Sequence, residues 1–302
     1  MGVLENISAC AAYLGNLDAE ERMHIFEQFF KERVNIKRES IMRTYKEVGE
    51  DWSQTLYTLL LKYLGSTHNG EAMEQLSRVV TYNMIAKERG VLLNIEALLL
   101  GSAGLLDLYP EDEYIKMLKE EFIHLRAKYD ITPLSAEVWR LHYIYPNTHP
   151  TLRLVQFAAS VHQQALTFDT ATECRTRKDV HKILSGAASE YWLEHFAFGA
   201  NVSASAHIGT FTKDLLGINV IIPLLVANGV FMENREFISR ALILAKSIPA
   251  EDNRYIKMWQ TPAAPIAISA IDSQALLYIH RTYCENNLCR ACLIWLKRRG
   301  QL

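Results

Sequence analysis

From Asp18 to Val48, apolar side chains recur at Met23, Phe26, Phe30, Val34, Ile41, Tyr45 and Val48, in steps of three, four or seven. Only an α-helix puts residues so spaced on one face, because it turns once in about 3.6 residues whereas a strand alternates faces at every residue. A stripe of that length must be buried against other helices. Asn16 or Asp18 is placed to cap its start, Glu20 and Glu21 suit the positive end of the helix dipole, and Gly49 is a stop.

The pattern continues. Trp52, Leu56, Leu59, Leu60 and Tyr63 predict a second helix before a loop at Gly65–Gly70, and Met73, Leu76, Val80 and Met84 predict a third over 71–89. The near-uniformly apolar 92–106 reads as a core element, with Gly101 and Gly104 allowing close backbone approach, and 111–129 reads as an amphipathic helix. Further helices are expected at 134–143, 150–166, 178–185, 189–198, 212–228, 233–247, 251–260 and 272–283. No segment alternates in the manner of a strand, and Gly 14 and Pro 8 in 302 residues fall well below the roughly 12% usual for the pair. The expected fold is all-α, an irregular multi-helix bundle of about 11–13 helices with little or no β-sheet. Residues 1–17 form an N-terminal segment carrying Cys10, ahead of a helical domain over 18–302. The irregular 144–151, with Pro146 and Pro150, is where that domain would divide into two subdomains.

A formal charge of -2 removes the global basic field that non-specific nucleic-acid binding uses. The opening decapeptide lacks the basic and apolar regions of a secretory signal, and five cysteines make no framework of disulfides, so a cytoplasmic protein with reduced thiols is expected. Leu215–Met232 carries no charge, but Gly217, Asn219, Pro223, Asn228 and Gly229 suit a buried helix better than a membrane span. Asn219 and Pro223 also predict a kink whose freed carbonyl the asparagine amide would meet. Phosphate-loop, zincin, nucleophile-elbow and dinucleotide motifs are all absent from the sequence.

The strongest chemical signal is Cys284-x4-Cys289-x2-Cys292. Thiolates at that spacing can converge on one zinc ion or iron–sulfur cluster, and a fourth ligand must come from earlier in the chain. Cys10 is the first choice, with Cys174 and His280 as alternatives; the opposing reading is that all are small buried hydrophobes. The tail Lys297-Arg298-Arg299 with Trp295 would either contact nucleic acid or complement a helix dipole. Asn147, His149 and Arg153 would gather around an anion, or else Arg153 pairs with a nearby acid. Trp192, His195 and Phe198 read as one helical face turned to the core, and Asp272 as an N-cap.

Several strings resemble a known family: Glu96-Ala-Leu-Leu-Leu-Gly101-Ser-Ala-Gly104; Trp139-Arg140 with Pro146-Asn147-x2-Pro150-x2-Arg153-x2-Gln156; Tyr191-Trp192-x2-His195-x2-Phe198-Gly199; Asn219-x3-Pro223; Asp272-Ser273-Gln274; and the cysteine tail. Together, from about Cys10 to the C-terminus, they resemble an uncharacterised bacterial family known only as a domain of unknown function. Longer members of that family look nuclease-like in an additional N-terminal half. The resemblance therefore implies that this chain is the helical C-terminal portion, without catalysis resident in the other half. Family members tend to have arginine just before the first proline of Pro146-x3-Pro150, where this chain has Tyr143 and Tyr145.

The functional expectation is a non-catalytic helical accessory or binding module, stabilised by a metal or cluster on Cys10, Cys284, Cys289 and Cys292, and associated with nucleic acid or a nuclease-like protein. The alternatives are an enzyme with a site around Arg140, His142, Arg153 and His195, or a subunit that needs the nuclease-like half in trans.

Overall fold

A computed structural model of the chain describes residues 3–109, 112–163, 166–200, 205–260 and 265–301. Among these residues there is no strand, only isolated antiparallel bridges between Ala187 and His207 and between Pro249 and Ser269. The fold is all-α, as the periodicity requires. Two compact units make up the chain: the first gathers 1–41, 175–177 and 222–302, and the second 42–174 and 178–221. The segment 144–151 lies inside the second.

The long stripe is the helix Ala19–Glu47, started by Asp18, whose Oδ1 accepts from the Glu21 N–H at 2.8 Å, and followed by Gly49 at φ +82°. In the first unit Phe26, Phe29, Phe30 and Val34 of this helix are buried. The helix Val3–Asn16 turns Ile7, Cys10, Ala11 and Leu14 inward and packs on the last helix, Leu293–Arg298. Ala270–Ile279 begins two residues before the expected start at 272. Ser269 is its N-cap and Asp272 its third residue, whose carboxylate accepts from the Ser269 and Ile268 N–H groups at 2.9 Å in a capping box. That reciprocal arrangement satisfies more free N–H groups than a lone Asp272 cap would.

In the second unit Leu92–Ser102 is buried from Ile95 onward and packs against Glu113–Tyr129 and Pro150–His162. Gly101 permits that approach: a Cβ there would lie 2.2 Å from Cγ of Phe122. The expected loop at Gly65–Gly70 is instead the start of a helix, Ser66–Val79. Asn69, a poor helix former, is held by two bonds to the Arg140 main chain, at 3.0 and 2.8 Å. The helix expected over 71–89 breaks at Val80–Thr81, where Gln54 bridges the Ser77 carbonyl and the Tyr82 N–H.

Two expected helices are absent. Residues 134–143 hold only the 3₁₀ turn Ala136–Val138, and 189–198 only Glu190–Leu193. In both, buried indoles fix an irregular path: Trp139 donates to the Ala103 carbonyl at 2.8 Å and Trp192 to Tyr114 Oη at 3.2 Å. Tertiary bonds thus replace the helical ladder. The expected end of the helix over 150–166 and the start at Glu111 fall partly outside the described residues; the helices run Pro150–His162 and Glu113–Tyr129.

The run Thr210–Phe231 is long and apolar enough to cross a membrane, yet 67% of its most apolar window is buried. Within it Gly217–Ile221 forms a π-turn two residues before Pro223, and Asn219 Nδ2 donates to the Leu215 carbonyl at 2.9 Å rather than to the Asn219 carbonyl that the proline frees.

Candidate functional site

The first and last helices of the first unit bring the ends of the polypeptide together. Cys10 lies on the third turn of Val3–Asn16, facing inward. Cys284 ends a π-turn, His280–Cys284, that extends the helix Ala270–Ile279; Cys289 opens a 3₁₀ turn, and Cys292 is the N-cap of Leu293–Arg298. All four line one narrow pocket of about 10 Å³, whose other walls include Ile7, Trp259, Ile279, Ile294 and Trp295. The walls are mostly apolar, and buried nitrogens of two side chains, Trp259 and Arg298, lack partners. Trp259, which is 1% exposed and lines the pocket, has an unbonded Nε1, and Arg298, whose charge reaches Cys10, has unbonded Nε and Nη2.

Burial pushes the Cys10 thiol up to about 11, against the pull of Arg298 and with the added repulsion of Cys292 and Cys289. Burial, then Cys292, Cys289 and Cys10, pushes Cys284 up to about 12. Burial also raises Cys292, while the backbone N–H groups of Trp295 and Ile294 lower it. Mutual repulsion of these thiolates places them within electrostatic reach of one another. All five cysteines are free of disulfides, and no group of His, Cys, Asp or Glu among the described residues is set to hold a metal ion as placed. The four thiols share a pocket without closing on one point.

The alternative fourth ligands do not line this pocket. His280 is buried against Tyr255, with Nε2 at 3.3 Å from Glu285 Oε1. Cys174 belongs to the second unit, where its Sγ donates to the Thr170 carbonyl at 3.4 Å. Beside the cysteines, Arg290, Trp295 and Arg299 line an open groove of about 770 Å³, with the Arg299 guanidinium over the Trp295 ring at 5.5 Å.

The four polar residues considered for an enzyme site have separate surroundings in the second unit. Arg140 reaches His68 Nδ1 at 3.4 Å, and His195 stacks on Tyr191 with ring centroids 4.0 Å apart. His142 acts electrostatically on His149. Arg153 lines a pocket, and no acid pairs with it among the described residues: Gln156 Oε1 and Thr212 Oγ1 accept from its Nη1 and Nη2, each at 3.1 Å. The acid expected beside it is replaced by neutral acceptors. Of the basic residues Arg281, Arg290, Lys297, Arg298 and Arg299, which the sequence offers to offset thiolate charge, Arg298 is the one that acts on Cys10, whereas nothing in the sequence pattern points to Trp259.

A helical chain with a cysteine-lined pocket joining its two ends is, by fold and site, an all-α protein with a candidate thiolate centre. The family model described as Protein of unknown function (DUF2851) matches residues 4–254, and the chain belongs to that family. The match includes Cys10 and stops short of Cys284, Cys289 and Cys292. No curated protein and no solved structure matches the chain.

Proposed function

We propose that the chain is a non-catalytic helical accessory module whose terminal helices are fastened together by an iron–sulfur cluster on Cys10, Cys284, Cys289 and Cys292. The observation that carries this reading is the shared pocket of four cysteines drawn from opposite ends of the sequence. Three further features support it. Trp259 Nε1–H and the Arg298 guanidinium are buried donors without acceptors, and thiolates or sulfides would accept from them. The Arg298 charge offsets that of a thiolate assembly. The Cys284-x4-Cys289-x2-Cys292 spacing is also the step with which plant-type ferredoxins hold a cluster. Loading would displace protons from raised thiols, so metal is taken up more readily as pH rises.

The groove of Arg290, Trp295 and Arg299 supports association with a nucleic-acid strand at the same end, through charge and base stacking. The nuclease-like half expected in longer relatives is the corresponding protein partner.

Protein purified without air should contain iron and sulfide and absorb in the visible. Cys10→Ser and Cys289→Ser should lose metal and thermal stability together, while Cys174→Ser keeps both. Zinc in place of iron would overturn the cluster and keep the thiolate centre; metal content unchanged in Cys289→Ser would remove the centre altogether.

A further inference from the structure

The geometry points to a binding pocket in the second unit for a small organic anion, one negatively charged group on an apolar body, with Arg153 holding the charge. This goes beyond the thiolate centre and rests on none of its residues.

Arg153 is 6% exposed, on the first turn of Pro150–His162. Burying a guanidinium away from water is costly unless an opposite charge or a full set of acceptors compensates. Here compensation is incomplete. Nη1 and Nη2 each reach one neutral oxygen, Nε has no partner, and no carboxylate faces the group among the described residues. Desolvation is the only influence acting on its acidity, and it brings the group down to about 10, still charged at neutral pH.

The side chain is nevertheless held in place. Gln156, itself 1% exposed, accepts from Arg153 through Oε1 and donates through Nε2 to the Ser205 and His207 carbonyls at 2.8 and 3.0 Å. An arginine fixed by a satisfied amide yet lacking a counter-charge is arranged to receive one.

It lines a pocket of about 450 Å³, within the ordinary range for small ligands. No Asp or Glu lines that pocket. Asn147, Thr148 and Thr212 supply further hydrogen-bonding groups near the charge, while Leu64, Phe211 and Leu215 form an apolar flank. The donors suit a carboxylate or a phosphate monoester, and the flank suits an aromatic or aliphatic body of a few carbons.

The test uses the full chain with benzoate, phenyl phosphate and inorganic phosphate as probes, read by calorimetry and by thermal shift. Benzoate or phenyl phosphate should bind saturably, and the preferred one identifies the head group. Arg153→Met should weaken that binding by about tenfold or more, the worth of a charge-assisted contact. Arg153→Met also leaves Gln156 Oε1 and Thr212 Oγ1 without their donor, so its melt without ligand serves to show that the variant is folded before binding is compared. Phe211→Ala, at a side chain 59% exposed and therefore tolerant of substitution, should weaken the two aromatic probes and leave inorganic phosphate unaffected. Absence of Arg153-dependent binding by any probe overturns the proposal.

Discussion

Glu96 offers the most quantitative test of the second unit. Its side chain is 1% exposed on the core helix Leu92–Ser102, where it accepts from Tyr114 Oη and from Ser189 Oγ, the latter at 3.2 Å. Burial raises its carboxyl from 4.5 to about 7, and the bonds from Tyr114 and Ser189 offset only part of this. The native state therefore binds a proton that the unfolded chain has already released, so stability falls as pH rises from the unfolded value towards 7 and is level above it. At ~1.4 kcal/mol for each tenfold in acidity, holding this carboxylate ionised at pH 8 costs about 3 kcal/mol. Glu96→Gln keeps an acceptor for Tyr114 and a donor for Ser189 without a charge. The variant should match the parent near pH 4.5, exceed it by about 2–3 kcal/mol at pH 8, and lose the fall between them. Urea unfolding followed by tryptophan fluorescence reads this, since Trp192 Nε1 donates to the same Tyr114 Oη. A variant less stable than the parent at pH 8, or one with the parent's pH dependence, would refute the reasoning.

Two other substitutions probe the framework that carries the candidate sites. Gly101→Ala would force a methyl onto the Phe122 ring at 2.2 Å and should cost about 1–2 kcal/mol, most of it recovered by Phe122→Leu; additive single effects in the denaturation midpoints would count against the contact. Asp112→Ala removes the cap on Ile115 N–H at 2.7 Å and the acceptor for Tyr191 Oη at 2.8 Å, so it should lower stability by about 1–2 kcal/mol. Asp112→Asn should retain most of that stability. Thermal melts that rank the two variants equally would contradict a capping role.

Where a helix carries its own apolar stripe, as Ala19–Glu47 and Glu113–Tyr129 do, period and caps were legible because each turn repeats the same local requirement. The chain departs from its periodicity where distant partners supply the decisive bonds. The helix through Ser66–Gly70 is supported by Asn69 and the Arg140 main chain, seventy-one residues apart. Residues 189–198 leave the helical path although Trp192 and Phe198 are buried as expected, because side-chain spacing alone does not say whether indole and backbone groups will find tertiary acceptors.

The helical class, the close approach at Gly101 and the spacing of Cys284, Cys289 and Cys292 can be read along the chain alone, since propensity, periodicity and spacing are local properties. That Cys10 shares their pocket while His280 does not, and that Arg153 has no acid beside it among the described residues, follows from packing. Those facts depend on which helices pack together and on the dielectric and hydrogen-bonding surroundings that packing creates, and neither is encoded in the spacing of any one segment.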